Sequence, residues 1–285
     1  MTLTTRAPAK LNLCLYLGAR RADGLHELRS LFCPLALSDR IVVVDAEGEA
    51  DEVVCPGVEG PNLAAVALEA MRARGWERAP VYVEIDKRIP VAAGLGGGSA
   101  NAAAMLRLAA GELEGLDEFA AGLGADVPSQ LEPAFSLVAG AGERVAGLPE
   151  PGEFALVLIP GEGGLATRDV YAEADRLGVA RDPAELDEVE TRLRAAAASG
   201  ASPLEYAELL VNDLERAALS LRPEISEALD ALEEVGAVRA LLTGSGPTAF
   251  GLFEDIARAD AAAAALPPRY AHAIVTAPQR LGEFR

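Results

Sequence analysis

The first 45 residues alternate apolar and polar positions in the way two β-strands do. The alternation runs through "AKLNLCLYLGARR" and resumes in "LHELRSLFCPLALSDRIVVVDA", with the turn sequence "ADG" between them. A period of two puts successive side chains on opposite faces of a strand. The pattern therefore predicts a long antiparallel hairpin at the start of the chain.

Helical and strand-like stretches then follow one another as far as residue 148. "NLAAVALEAMRARG" predicts a helix that Asn62 caps and Gly75 ends. "PVYVEIDKRIP" predicts a strand, and the alanine-rich run that follows predicts a helix to about Ala110. "LDEFAAGLG" indicates a short helix, "ADVPSQLEPA" a loop and "FSLVAGAGERVAGL" a hairpin.

A second unit is predicted to begin after the Pro- and Gly-containing segment 148–153. This interpretation divides the chain into an N-terminal domain, 1–150, and a C-terminal domain, 151–285. The second domain opens with the strand "EFALVLIP". An acidic helical segment at about 170–198, helices near 203–219 and 223–235, and a strand–turn–strand at "VRALLTGSGPTAFGLF" come next. We expect the acidic segment to be a solvated helical face.

Four glycines and a serine crowd the six positions from Gly94 to Ser99, between a strand and a helix. The loop is not a P-loop, because no lysine precedes the serine, and it departs from G-x-G-x-x-G because serine takes the last place. Glycines allow close approach and positive φ, and a helix N-terminus attracts anions. We expect Ser99 to lie at the helix start and the loop to hold phosphate. A flexible turn is the alternative.

Composition narrows the classes of partner. A net charge of −19 over 285 residues argues against nucleic acid and anionic membranes as partners. The three cysteines lack metal-ligand spacing and fit reduced thiols, and no apolar run reaches 18 residues. We therefore expect a cytoplasmic protein with a small-molecule partner, either a monomer or a homodimer.

Lysine is scarce: of 25 basic residues only Lys10 and Lys87 are lysines. Because the lysine ammonium is a compact point charge, we expect these two positions to serve phosphate chemistry, although an exposed strand face is the alternative for Lys10. Residues 1–30 also carry a local excess of positive charge, which would attract an anionic substrate.

Asp126 in "GADVP" is the candidate general base, and an N-cap or Asx-turn aspartate is the alternative. A base, a lysine and two glycine turns, the second being "GSGPT" at 244–248, together favour phosphoryl transfer from a nucleotide. The expected cofactors are ATP and Mg²⁺. The sequence offers no dedicated metal site, so phosphates, waters and Ser99 would be the metal ligands.

Five segments in this order resemble the GHMP group of small-molecule kinases, which includes galactokinase, homoserine kinase and mevalonate kinase. They are "PAKLNLCLYLGARRADGLHEL", "IPVAAGLGGGSANAAA", "GADVP", "NDLE" and "TGSGPTAFGLF". Within the group they are most similar to the kinases that phosphorylate the 2-hydroxyl of 4-diphosphocytidyl-2-C-methyl-D-erythritol in the non-mevalonate isoprenoid pathway. The resemblance implies an α+β fold of two domains, a ribosomal S5 domain 2-like N-terminal domain and a ferredoxin-like C-terminal domain.

The resemblance also implies roles for individual residues. Asp126 would be the catalytic base and Lys10 its charged partner. The substrate would contact Asn12, His26, Thr167, Gly244, Ser245 and Gly246, with His26 near the cytosine. ATP would contact Asn62, Lys87, Pro90, Gly94, Leu95, Gly96, Gly97, Gly98 and Ser99.

The sequence departs from the family pattern at four positions. Leu25 stands where a tyrosine usually precedes the histidine, Ser129 and Gln130 follow "GADVP" where aromatic residues are usual, and Asn101 replaces a common aspartate. Losing a stacking ring costs about 1–3 kcal/mol by analogy with base stacking. Two alternatives therefore stay open: another small-alcohol kinase of the group, or a regulatory protein that binds nucleotide without chemistry.

Overall fold

Strands β1 (Thr2–Arg20) and β2 (His26–Asp45) form the hairpin that the alternation predicts. The computed structural model describes residues 2–161 and 163–280. The β1–β2 register shifts between Pro8 and Lys10 and again between Asn12 and Cys14. Such bulges turn side chains out of the regular alternation. They occur where β1 carries two of the predicted site residues.

The first sheet is built around β2 and has the order β3-β4-β2-β5-β6, with β1 paired to β2. Its other strands are β3 (Glu52–Val54), β4 (Val81–Asp86), β5 (Ser136–Gly140) and β6 (Arg144–Gly147). Helices α1 (Leu63–Ala73), α2 (Gly97–Leu108) and α3 (Leu116–Leu123) share a core with β1, β2 and β4. Buried alanines of α1 and α2 let these helices approach each other closely.

The second sheet is antiparallel and has the order β10-β7-β9-β8. Its strands are β7 (Ala155–Ile159), β8 (Arg239–Leu242), β9 (Ala249–Phe253) and β10 (Ile274–Thr276). Helices α4 (Thr167–Leu177), α6 (Glu215–Leu221), α7 (Ile225–Glu234) and α8 (Ile256–Ala265) share its core. With the last strand beside the first, this is the ferredoxin-like arrangement that was predicted.

A third core cluster joins the two sheets. Helix α5 (Pro183–Ala197) buries Leu186, Val189 and Leu193 in this cluster, together with side chains of β1, β2, β7 and β9. The division at residue 150 stays a prediction, but residues from both sides of it bury apolar surface in one core. That common core fixes the two sheets relative to each other.

The helix predicted near 203–219 is wrong. The chain forms a 3₁₀ helix, Pro203–Leu209, and becomes helical again only at α6. Between them Val211 accepts a hydrogen bond from the Leu15 N–H (2.8 Å), and Asp213 N–H donates to the Leu15 carbonyl (2.9 Å). Residues 211–213 therefore pair with the free edge of β1, because buried backbone groups need hydrogen-bond partners.

The acidic segment 170–198 is helical, as predicted, and contains most of α4 and α5. Gly178 ends α4 in the left-handed conformation, with φ 64°. Asp182 and Glu185 then form a capping box that starts α5. None of the described helices is long and apolar enough to cross a membrane.

We predict that Asn62→Ala lowers the free energy of unfolding by about 1 kcal/mol, because the Asn62 side chain accepts from the Ala64 N–H at 2.9 Å. Asn62→Asp keeps an oxygen acceptor and is the matched control. Urea unfolding without nucleotide measures both variants. Equal stability of the two variants would contradict a capping role.

Candidate active site

The glycine loop ends at the start of α2. Gly96, with φ 67°, is the N-cap, and the first helical bond runs from Ala100 N–H to the Gly96 carbonyl (2.8 Å). The N–H groups of Gly97, Gly98 and Ser99 therefore precede the helical ladder and suit an anion. Ser99 is the third helical residue.

At three glycines of the loop an added Cβ would come too close to a neighbouring atom, which is rigid backbone at Gly94 and the tip of a lysine side chain at Gly97. A Cβ on Gly94 would lie 2.6 Å from the Gly246 carbonyl oxygen, and one on Gly96 would lie 2.7 Å from Lys10 Cγ. A Cβ on Gly97 would lie 2.6 Å from Lys87 Nζ. The loop thus packs directly on another turn and on both lysines of the chain. Gly98, in contrast, faces open space.

Lys10 and Asp126 form the ion pair that the sequence predicts. The Lys10 ammonium lies 3.3 Å from Asp126 Oδ2 and donates to Asn12 Oδ1 at 2.6 Å. It also lies 4.8 Å from the centroid of the Phe32 ring. The 3₁₀ helix Pro128–Gln130 begins without a side-chain cap. The Asp126 carboxylate therefore faces the lysine instead of capping that helix.

Asn12 links the pair to the turn between β8 and β9. Its backbone N–H donates to Thr243 Oγ1 at 2.8 Å, and its side-chain amide donates to Ser30 Oγ at 2.8 Å. Gly244 is so close that a Cβ there would lie 3.1 Å from Asn12 Oδ1. The predicted substrate residues Asn12 and Gly244 are thus in contact, and Asn12 holds the Lys10 ammonium.

The same turn is anchored from both sides. The Asn212 side chain of the "NDLE" segment donates to the Leu242 and Gly244 carbonyls, both at 2.8 Å. Thr248 Oγ1 donates to the Ala93 carbonyl at 2.6 Å, beside the glycine loop. These bonds hold the glycine loop 94–99 against the β8–β9 turn, so the two glycine segments pack together.

Three adjoining cavities, of about 440, 280 and 420 Å³, lie side by side from the glycine loop to α4. All nine residues predicted to contact ATP line the first of them. The middle cavity contains Lys10, Asp126 and Ser99 and shares Gly94, Gly96 and Ser99 with the first. It shares Thr167 and Tyr171 with the third. The ion pair therefore lies between two larger pockets.

The substrate residues predicted from the sequence surround the middle and third cavities. Asn12, Thr167, Gly244 and Ser245 line the middle cavity, and His26 lines the third. The hydroxyls of Thr167 and Ser245 lie 3.0 Å apart and join α4 to the β8–β9 turn. Gly246 does not line these three cavities. Its carbonyl oxygen instead packs against Gly94.

The third cavity contains an aromatic ring that the sequence did not indicate. Leu25 is 54% exposed at its rim. The Tyr171 ring of α4 lies 5.2 Å from the His26 ring, and Asp175 Oδ1 lies 2.8 Å from His26 Nε2. Burial, with a smaller contribution from Asp126, raises the pKa of Tyr171 to about 12, so its hydroxyl stays protonated. The expectation that 170–198 is only a solvated face is therefore wrong for α4.

On the first cavity's side, Asn62 caps α1 and Lys87 is paired with the buried carboxylate of Asp39 at 2.5 Å. Asn101 also donates to Asp39. Sequence reasoning missed Asp39 because nothing in "ALSDRIVV" distinguishes it from an ordinary strand-end aspartate.

The positive excess predicted for residues 1–30 is largely neutralised. Arg29 is paired with Glu27 (2.6 Å) and with Glu190 of α5 (2.5 Å), and Arg21 is paired with Glu143 at 2.7 Å. Side-chain hydrogen bonding to Glu143 raises the pKa of Arg21. Carboxylates distant in sequence therefore cancel much of the predicted patch.

A metal site made only of protein groups is absent from residues 2–161 and 163–280, where no cluster of three or more His, Cys, Asp and Glu could hold an ion. The Ser99 hydroxyl at the helix start and the Asp126 carboxylate are oxygen donors that line the middle cavity. A hard divalent cation such as Mg²⁺ commonly keeps waters and phosphate ligands beside one or two protein oxygens. The site fits Mg²⁺ that arrives with a nucleotide.

Known families match both halves of the chain. The GHMP kinases N terminal domain matches residues 62–127, and the GHMP kinases C terminal domain matches residues 193–272.

Full-length relatives are also similar. A 4-diphosphocytidyl-2-C-methyl-D-erythritol kinase of Streptomyces coelicolor is 42% identical over 90% of this chain and 89% of its own. The Mycobacterium tuberculosis kinase of the same name is 40% identical over 87% of this chain and 80% of its own.

Solved structures agree with these matches. A crystal structure of 4-(cytidine 5'-diphospho)-2C-methyl-D-erythritol kinase has a TM-score of 0.79 at 34% identity, and the match covers 98% of this chain and 100% of that chain. A homoserine kinase from Cytophaga hutchinsonii has a TM-score of 0.71 at 18% identity, covering 98% of this chain and 94% of that chain, and shares the fold.

We predict that Gly96→Ala lowers the free energy of unfolding by at least about 1 kcal/mol, because alanine is strained at φ 67° and its Cβ collides with the Lys10 stem. Gly98→Ala, which meets nothing in the first helical turn, should be neutral or stabilising by up to about 1 kcal/mol. Urea unfolding without ligand compares the two variants. Equal losses would argue against close packing of the loop.

Proposed function

Since the chain belongs to the 4-diphosphocytidyl-2-C-methyl-D-erythritol kinases of the GHMP family, we propose that it transfers the terminal phosphoryl group of ATP to the 2-hydroxyl of that cytidyl compound. The reaction belongs to the non-mevalonate route to isoprenoid precursors. The observation that carries the proposal is the Lys10–Asp126 pair, which lies in a cavity between a glycine-loop pocket and an aromatic pocket. A kinase with two substrates needs such a position for its reacting groups.

ATP occupies the first cavity in this proposal. Its phosphates lie against the N–H groups of Gly97, Gly98 and Ser99, where the positive end of the α2 dipole favours anions. Asn62, Lys87 and Pro90 line the remainder of the cavity and contact the nucleoside. The terminal phosphate then points toward the middle cavity, because Ser99, Gly94 and Gly96 line both spaces.

Asp126 acts as the general base. Its carboxylate accepts the proton of the substrate 2-hydroxyl as that oxygen attacks the terminal phosphorus, and the bond to the ADP oxygen breaks. Lys10 lies 3.3 Å from the carboxylate and stabilises negative charge on the phosphoryl group in flight. Asn12 and the Phe32 ring hold the ammonium in place.

Mg²⁺ would accompany ATP in this proposal, and the Ser99 hydroxyl and the Asp126 carboxylate, which both line the middle cavity, are the protein oxygens that would help to hold it. When bound, the ion neutralises phosphate charge. The chain's own residues hold the nucleotide and the acceptor, and they move the proton.

The cytidine end of the substrate occupies the third cavity. Tyr171 offers a ring face, and His26 offers ring nitrogen for an edge hydrogen bond, with Asp175 fixing one side of the imidazole. Arg20 and Arg168 also line this cavity and place positive charge near the diphosphate. Tyr171 thus replaces the stacking ring that Leu25 does not supply.

We place this reaction in the cytoplasm. All three cysteines are free thiols, and burial raises the pKa of Cys14 and of Cys33 to about 12. Thiols of this kind are inert structural groups and suit a reducing compartment.

Asp126→Asn should reduce kcat by about 10²–10⁴-fold while the dissociation constant for ATP changes little, because the amide cannot accept the proton. Coupled ADP release with ATP, magnesium and the cytidyl substrate measures kcat, and calorimetry measures ATP binding. Asp117→Asn, in the first turn of α3, is the surface control. Turnover near the wild-type rate would remove Asp126 from the role of base.

The same assay with mevalonate, homoserine and galactose separates this function from its alternatives. We expect ADP release with the cytidyl compound and none with the three other alcohols. Release with another alcohol would move the chain to a sister kinase. Nucleotide binding without release in any reaction would favour the regulatory alternative.

Tyr171→Ala should raise KM for the cytidyl substrate by about 5–150-fold, the equivalent of about 1–3 kcal/mol of base stacking, while KM for ATP stays within a factor of two. Tyr171→Phe keeps the ring and is the matched control, so it should stay close to wild type. A loss of the same size in both variants would assign the effect to the hydroxyl instead of the ring face.

A further inference from the structure

Asp39 is a fully buried carboxylate at the end of the β2 segment that pairs with β4. Its Oδ2 accepts from Lys87 Nζ at 2.5 Å and from the Asn101 side chain at 2.9 Å. Its Oδ1 accepts from the backbone N–H groups of Arg88 (2.8 Å) and Ile89 (2.9 Å). Four donors from two other segments thus converge on one side chain. A buried charge needs such compensation.

The partners of Asp39 are parts of the first cavity's wall. Lys87 and Asn101 line that cavity, and the Lys87 ammonium lies beneath Gly97 at the start of α2. Arg88 and Ile89 belong to the segment that leads from β4 into the glycine loop. Asp39 therefore connects the segment before the glycine loop, residues 87–89, to helix α2, which follows the loop. Asp39 itself does not line the cavity.

The pairing determines where the Lys87 charge lies. A lysine stem is flexible and would otherwise move its ammonium toward solvent. With Asp39 beneath it, the Lys87 side chain is only 13% exposed and stays at the base of the cavity. The carboxylate also cancels the lysine's net charge. The ammonium therefore contributes directed N–H donors to a ligand more than it contributes net attraction.

We propose that Asp39 is a positioning residue for nucleotide binding, which holds the Lys87 ammonium beneath the start of α2 in the arrangement that receives ATP. The proposal rests on the assignment of the first cavity to ATP. It predicts a selective defect: nucleotide binding depends on Asp39, and binding of the cytidyl substrate on the far side of the Lys10–Asp126 pair does not.

Asp39→Asn is the informative variant, because its Oδ1 can still accept from the Arg88 and Ile89 N–H groups. Its amide, however, presents a donor to Lys87 and Asn101, which are donors themselves. We expect KM for ATP to rise about tenfold or more, with KM for the cytidyl substrate within a factor of two. Asp86→Asn, on the exposed pair with Arg88 at the end of β4, is the matched control and should leave both values unchanged. Unchanged values for Asp39→Asn, or equal rises in both, would overturn the proposal.

One side of a double-mutant cycle tests whether Asp39 acts through Lys87, and this comparison does not need the Asp39→Asn single variant to fold. Lys87→Met and the double variant Asp39→Asn/Lys87→Met are compared by calorimetry with ADP and magnesium, after circular dichroism has verified their fold. Similar dissociation constants for the two variants support the proposal, because Asp39 then has no ammonium to position. A further tenfold loss in the double variant would overturn it.

The calorimetric measurement also separates this inference from the kinase assignment. Wild-type protein could bind ADP in the calorimeter and yet form no ADP from ATP in the coupled assay with any alcohol. That result would refute the proposed reaction, but the comparison of the Asp39 variants would still test the positioning role. Wild-type protein that binds no ADP would refute both.

Discussion

The absence of side chains at Gly94, Gly96 and Gly97 is the constraint on which the rest of the site depends. Each of these residues lies where a Cβ would come within 2.7 Å of a neighbouring atom. That closeness lets the loop rest on Lys10, on Lys87 and on the Gly246 carbonyl at once. Three ordered glycines cost considerable conformational entropy, so the contact must be compensated by the packing beneath it. Lys10 supplies that packing with its linear stem and Lys87 with its compact ammonium, and the wider planar fork of a guanidinium matches neither.

The long β1–β2 hairpin connects this local packing to both halves of the chain. Strand β1 brings Lys10 and Asn12 to the site at its bulges, and β2 brings Asp39. Further along, β1 pairs with Val211 and Asp213, next to the Asn212 side chain that holds the β8–β9 turn. A single pair of strands thus fixes groups from both halves of the chain. The geometry of the reacting centre depends on the core shared by the two sheets more than on either sheet alone.

Local signals in the sequence were enough for most of the elements and for the position of the loop. The Asn62 cap, the alternation in β1 and β2 and the glycine spacing each depend on neighbouring residues, and the structure confirms the elements that they predict. Tyr171, Asp175 and Asp39 could not be found in this way, because their roles arise from contacts with residues 48 or more positions away. The helix expected near 203–219 failed for the same reason: β1 offers hydrogen-bond partners that outweigh helical propensity.

A chain of net charge −19 must still bind two polyanions in the proposed reaction. The cations that face its cavities are mostly matched by carboxylates, with Lys10 beside Asp126 and Lys87 beside Asp39. Long-range attraction cannot therefore be the main source of affinity, since exposed charges are screened beyond about 10 Å at 0.1 M salt. Short-range donors with fixed directions remain: the N–H groups at the start of α2, the ammonium groups held in place by their partners, and a divalent ion that arrives with the nucleotide. Such donors discriminate by position, so in the proposed reaction the fixed packing of the glycine loop would be the basis of anion recognition.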